Sequence, residues 1–504
     1  MSYDVNMWNS VLSELQRDPN RINEINSKCI QCPNNRALRW YEKVIGNPSY
    51  SGYALFICLH GGGHGAASMN DSQWRDIIPF LSGGFQDGTI AVAPRGINNE
   101  WNLHFVDESY PAITRLIEDY IIFRSVDPNR VYIIGFSAGG DGTYQLSERL
   151  PHLLAACSPQ GGHPNGVSTI NICNLPTYLA AGEKDTAFKR NQVCVDYYNK
   201  IMGQNGKYLG KYIAKVEVVA GSGHSFQCWK RPRKSYFNGS KSVSTTNETA
   251  FDFMYSHTRN PFPVGISLDT KCFLTKLRNH FTQRGNTFYN IEVGKNTSDI
   301  IQIQIDYNNN SITVKEGNNF KINLMSSLFG RGDIVSVISQ GKTVQYKLQR
   351  DQNYARNNMK LFCDPYYAFD SYVTIGNFQP EVNVGYQPKP PTPFSPQNQI
   401  PQQVNTSFPQ QNPQYSQQYS QYPQQNQGFD QYYGNQQMQY GYQQQGYQRG
   451  YGNMYPGSQM GYGRPPQRPQ MGYQQYPPNY QPHGYGRQNY QYQYGGENGF
   501  GSYY

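Results

Sequence analysis

Hydrophobic periodicity divides the chain into stretches of different grain. Residues 4–16 carry apolar positions at helical spacing and read as one short helix within a polar lead-in, residues 1–45. From there to about residue 268, short unbroken apolar runs alternate with segments of helical period. The runs are 53–59, 89–94, 131–134, 153–157, 176–181 and 212–220; the helical segments include 74–81, 111–123 and one reaching about Leu150. Unbroken runs suit strands covered on both faces. Their alternation with helices predicts an α/β domain over residues 46–268, a mostly parallel sheet with helices on both sides. Asp127-Pro128-Asn129-Arg130 reads as the turn delivering the chain into the strand at 131. Beyond residue 269 the period changes to two: 301–305 alternates, Asn308-Asn309-Asn310 turns, 311–314 answers, and 333–339 with 343–348 repeats the form. This predicts a small all-β accessory domain, residues 269–384.

Composition changes the picture only at the C-terminal end. Of 43 tyrosines, 21 fall in residues 385–504, among Gln, Gly, Pro and Asn with almost no aliphatic side chains. Such a segment cannot bury enough apolar surface to offset its ordering entropy, so a disordered low-complexity tail is expected. Its aromatic rings and arginines 449, 464, 468 and 487 suit self-association or weak RNA contact. The net charge of +9 divides into +3 in the tail and +6 before it, too dilute for a dedicated nucleic-acid binder. Nine scattered cysteines, several inside apolar runs, read as reduced thiols, and the lone Cys29-Ile30-Gln31-Cys32 has no second pair to build a zinc site. No run approaches the roughly 18 residues of a membrane span, and residues 1–20 lack the apolar core of a signal peptide. A cytoplasmic protein is therefore expected.

The candidate chemistry sits at the ends of the apolar runs. Gly135-Phe136-Ser137-Ala138-Gly139-Gly140 follows one of them and precedes a helix, the outline of a nucleophile elbow. Ser137 would occupy a strained left-handed turn, and side chains at 135 and 139 would strike the neighbouring strand and helix. Another run opens into His60-Gly61-Gly62-Gly63-His64-Gly65, whose glycines can turn backbone N–H groups toward one point, as an oxyanion hole requires. A serine needs a base, and the base needs a carboxylate. Gly182-Glu183-Lys184-Asp185 offers Asp185 at the turn into the next helix, with Glu183 as the alternative. Gly221-Ser222-Gly223-His224 offers a histidine at the end of the following run. His60 and His64 read as orienting the glycine loop, and Lys230-Arg231-Pro232-Arg233-Lys234 as a solvated basic loop.

Taken together, these residues make the stretch from about 50 to 265 resemble an α/β-hydrolase. It is similar to the esterase branch holding polyhydroxybutyrate depolymerase-like, feruloyl esterase-like and dienelactone hydrolase-like enzymes. The resemblance implies Ser137 as nucleophile, His224 as general acid and base, Asp185 as its orienter, and the N–H groups of Ala138 and of Gly62 or Gly63 as the oxyanion hole. It implies hydrolysis of a small-molecule or polymer carboxylic ester through an acyl-enzyme, with no metal and no organic cofactor. A peptidase or thioesterase of the same fold is the near alternative; a non-catalytic scaffold acting through its self-associating tail is the remote one.

Overall fold

The computed structural model describes residues 4–273, 287–380 and 393, all within one compact unit spanning residues 1–405. The expected tail, residues 385–504, otherwise lies outside the described residues.

Ten strands form the main sheet: β1 (Cys29–Cys32), β2 (Arg36–Ile45), β3 (Tyr53–Leu59), β4 (Thr89–Pro94), β5 (Val126–Phe136), β6 (Ala156–Gln160), β7 (Thr177–Gly182), β8 (Ala214–Val219), β9 (Arg233–Phe237) and β10 (Ser244–Thr246). Their order is β1-β2-β4-β3-β5-β6-β7-β8-β9-β10. The inner strands β4-β3-β5-β6-β7-β8 run parallel, with antiparallel strands added at both edges. The alternation within each apolar run feeds two cores. Leu55, Ile57 and Leu59 of β3 face α4 (Ser109–Phe123), α5 (Ala138–Arg149) and α6 (Arg190–Met202), whereas Ala54, Phe56 and Cys58 face α3 (Ala67–Leu81) and α7 (Ala250–Tyr255). Both faces are thus covered, the arrangement that unbroken apolar strands require.

Three expectations are refined. The polar lead-in carries two helices, α1 (Val5–Leu15) and α2 (Pro19–Ser27), and the strands β1 and β2, which extend the sheet past β4. Residues 127–130 stay within β5: the pairing jumps from Tyr53↔Val126 to Leu55↔Val131, and Asn129 N–H donates to Asp127 Oδ1 at 2.9 Å. The turn is thus a bulge inside a strand. One residue of the basic loop is not solvated but built in: Arg233 is buried on Glu217 (Nε–Oε1 2.5 Å), while Arg231 stays exposed and grips both oxygens of Asp252 at 2.5 Å.

The accessory region has two sheets around one core. A five-stranded sheet takes β11 (Gly265–Asp269), β14 (Ile300–Asp306), β15 (Ser311–Glu316), β17 (Ile334–Ser339) and β18 (Lys342–Lys347). A four-stranded sheet takes β12 (Thr287–Phe288), β13 (Ile291–Val293), β16 (Phe320–Leu324) and β19 (Ser371–Ile375). The region is not all β: α8 (Gln352–Phe362) intervenes, N-capped by Asp351, and its Met359, with Cys363, joins the core of the main sheet. Helix α1 lies against it, Glu14 pairing with Arg356 at 2.9 Å and with Lys360. A fully buried ion pair, Arg259–Asp364 at 2.7 Å, ties the same two regions. Since these groups are shared, the regions should unfold together. Met359→Ala should lower stability by about 2–5 kcal/mol, the usual cost of emptying a buried methionine site. Urea unfolding followed by fluorescence and circular dichroism should show one shifted transition; two separated transitions would contradict a shared core.

Candidate functional site

Because β3, β5, β6, β7 and β8 are parallel, their C-terminal ends open onto one edge of the sheet, where open α/β sheets place their sites. Ser137 stands between β5 and α5 at φ 59°, ψ −122°, a conformation few L-residues adopt. Its neighbours explain how it is held. A Cβ on Gly135 would come within 2.0 Å of Gly139 O, and one on Gly139 within 2.1 Å of Leu59 O. The strand and helix therefore pack through bare backbone on either side of the serine, and Ser137 N–H donates to Gln160 O at 2.9 Å.

The next loop, at Gly161, closes the other side. Its φ is +55°, and a Cβ there would lie 3.4 Å from both Asp185 Oδ2 and His224 Cε1. His224 Nδ1 pairs with Asp185 Oδ2 at 2.7 Å, and the Phe136 ring, adjacent to Ser137, meets the imidazole at a 5.1 Å centroid distance. Asp185 is 2% exposed, and its Oδ1 is buried with no hydrogen bond, facing Arg190 Nη1 at 3.5 Å. Ser137 Oγ makes no hydrogen bond to the imidazole, a contact that often tightens only with substrate bound. Glu183, the alternative acid, is engaged elsewhere. It accepts from Gly221 N–H at 2.6 Å and Tyr236 O–H at 3.0 Å, which hold its carboxyl below the usual range and brace the loop carrying His224.

The glycine loop is fixed by residues the sequence did not single out. Asn70, fully buried near the start of α3, accepts from Gly63 N–H at 2.9 Å and donates to Gly63 O at 3.0 Å. A Cβ on Gly62, at φ +118°, would fall 2.1 Å from Asn70 Oδ1. Behind Asn70, Asn99 bridges to Arg95, which pairs with Asp71 at 2.7 Å. The amide of Gly63 is therefore spent on Asn70. Among the described residues no acceptor takes the N–H of Gly62, and Ala138, as the first residue of α5, has no intrahelical acceptor. Gly61 lies beside the serine: a Cβ on it would meet Ser137 Cβ at 3.3 Å. On α5, Asp141 holds the loop after β6 through His163 N–H (2.6 Å) and Asn165 Nδ2 (3.0 Å), and burial pushes its carboxyl above the ordinary range. The described residues contain no cluster of side chains suited to a metal ion, and none of their helices is long and apolar enough to cross a membrane.

His60 anchors the loop from beneath. Its Nε2 accepts from Gly96 N–H at 3.0 Å, so the proton sits on Nδ1, which faces Gly61 O at 2.6 Å; His104 Nε2 lies 2.8 Å from His60 O. Burial pushes the pKa of His60 from 6.5 down to about 4. Between those values the unfolded chain binds the extra proton, so the stability this site contributes is complete above pH 6.5 and is lost as pH falls towards 4. Urea unfolding across that window should show a decline of about 3 kcal/mol from this group. His60→Gln should flatten the slope; an unchanged slope would mean that His60 does not titrate this way.

Residues 97–258 match the model of the dienelactone hydrolase family. A poly(3-hydroxybutyrate) depolymerase of Ralstonia pickettii is 27% identical over 148 residues, which is 25% of this chain and 29% of that protein. The chain therefore spans under a third of that curated relative. Among solved structures, a thermostable esterase is 21% identical at a TM-score of 0.30, over 37% of this chain and 52% of that one. A poly(3-hydroxybutyrate) depolymerase of Bordetella parapertussis is 17% identical at 0.32, over 41% and 88%.

Proposed function

We propose, from the premise that this chain belongs through residues 97–258 to the dienelactone hydrolase family of α/β-hydrolases, that it hydrolyses carboxylic esters with Ser137 as nucleophile, His224 as base and Asp185 as the acid that orients it. The observation carrying this reading is the 2.7 Å contact of His224 with the buried Asp185 beside a serine held at φ +59°. In the first step Ser137 Oγ attacks the ester carbonyl carbon while its proton passes to His224 Nε2. Asp185 accepts from Nδ1–H, fixing the tautomer and stabilising the imidazolium. The N–H groups of Ala138 and Gly62 receive the oxyanion, with Gly63 serving as the anchor that Asn70 grips. Collapse expels the alcohol, which takes its proton from His224; water then repeats the sequence and frees the acid. Thioesters and amides would follow the same path, and the family favours the ester. A cytoplasmic location belongs to the same proposal, on eight described cysteines that are all free thiols.

A fluorophosphonate probe should label the wild-type protein and leave Ser137→Ala unlabelled, and 4-nitrophenyl ester turnover should vanish with the label. Equal labelling of the two would end the catalytic reading. Asn70→Ala should lower kcat by about ten- to a hundredfold while KM changes little, because it loosens an oxyanion donor without removing one. A change in KM alone would assign Asn70 to substrate binding instead.

A further inference from the structure

Large apolar side chains reach water at a cost, so those left exposed near the strand ends that carry the site invite an explanation. Met69, Trp101 and Phe188 are 42%, 60% and 69% exposed; the first two lie against the glycine loop, and Phe188 stands on the turn that carries Asp185. Trp101 lies against the glycine loop: a Cβ on Gly63 would stand 2.5 Å from its ring. Met69 covers the same loop, its methyl 2.7 Å from where a Cβ on Gly65 would be. Phe188 occupies the turn after β7 at φ +54°, followed by Lys189 at φ +55°. Two successive bulky residues in the left-handed region mark a turn under strain, and the exposed ring belongs to none of the hydrophobic clusters. It is nevertheless held. The Arg190 guanidinium lies 4.9 Å from the ring centre, and its Nη1 is 3.5 Å from Asp185 Oδ1, the carboxylate whose other oxygen takes His224.

The two aromatic rims lie on opposite sides of the serine. The glycine loop follows β3 and the Phe188 turn follows β7, three steps apart in the order β3-β5-β6-β7, with Ser137 at the end of β5 between them. At ~4.8 Å per step the strand ends span about 14 Å, several times the length of an ester group. We propose that Trp101 with Met69 on one side, and Phe188 on the other, form two apolar subsites for an ester carrying an alkyl or aryl chain on both its acyl and its alcohol half. This rests on the serine-esterase reading. The ester lies across the strand ends, its carbonyl over Ser137 and one arm on each rim.

The test uses the full chain and four esters followed by pH-stat titration: methyl acetate, methyl hexanoate, hexyl acetate and hexyl hexanoate. Wild type should show its highest kcat/KM on hexyl hexanoate. Trp101→Ala should lower the gain from lengthening one half by about tenfold, and Phe188→Gly the gain from lengthening the other half, as lost apolar contact in a specificity pocket does. Glycine accepts φ +54°, so Phe188→Gly should melt no lower than wild type, separating lost contact from lost fold. Gains that stay put in both variants, or that fall together for both halves in each, would overturn the two subsites. No turnover of any ester and no fluorophosphonate label on wild type would instead overturn the esterase reading beneath them.

Discussion

The left-handed backbone at Ser137 is the constraint from which the rest of the site follows. A residue in this conformation costs about 1–3 kcal/mol and persists only where its surroundings leave no alternative. Here β3 and β6 flank β5 in parallel register, Leu59 opposite Gly135 and Gly135 opposite Pro159. Helix α5 then approaches so closely that Gly135, Gly139 and Gly140 have no room for a Cβ. The serine hydroxyl is presented at the sheet edge because the backbone around it is locked on three sides.

That lock explains why the groups around Ser137 are backbone-directed. Asn70 spends both its amide functions on Gly63, His60 spends both ring nitrogens on the backbone of Gly61 and Gly96, and Asp141 spends its carboxylate on the loop after β6. Asn70 and His60 are buried and Asp141 is half-buried; the cost of each is met by its partners, and each fixes a loop that has little apolar side chain of its own. Preorganised donors are worth more than donors that must be ordered at the moment of reaction, and these bonds supply that order.

Which parts of this were legible in the sequence follows from the range over which each signal acts. The strands 53–59 and 89–94 emerged with the expected limits because an apolar run bounded by Gly or Pro is a local signal. The glycines at 135 and 139 were legible because their neighbours in the chain are their neighbours in space. Asn70 was not: its partner is backbone, and a polar residue near a helix start has many commoner explanations. Arg190 was hidden similarly, its ion pair depending on where β7 turns. Helix α8 escaped because the segments around it alternate with period two, and its buried Tyr354, Ala355, Asn358, Met359 and Phe362 mix polar and apolar types.

The accessory region attaches far from this chemistry. Asp364 of the accessory region pairs with Arg259, which in turn reaches Asn129 Oδ1 at 2.9 Å and His152 O at 3.2 Å, the first near the start of β5 and the second just past α5. Asn171 and Asn174, which precede β7, bond Asp269 and Gly265, while Leu209, which precedes β8, receives a bond from Ser267 Oγ. All these anchors lie at the N-terminal ends of the parallel strands, and Ser137, Asp185 and His224 at the C-terminal ends. Strand direction separates the two sets by the length of the sheet, so these anchors supply no wall to the substrate cleft. What they supply is rigidity where β5, β7 and β8 begin. These are the strands whose far ends carry the serine, the acid and the histidine, so their mutual register has to hold for a 2.7 Å contact to form between the loops after β7 and β8, with the serine beside it at the end of β5.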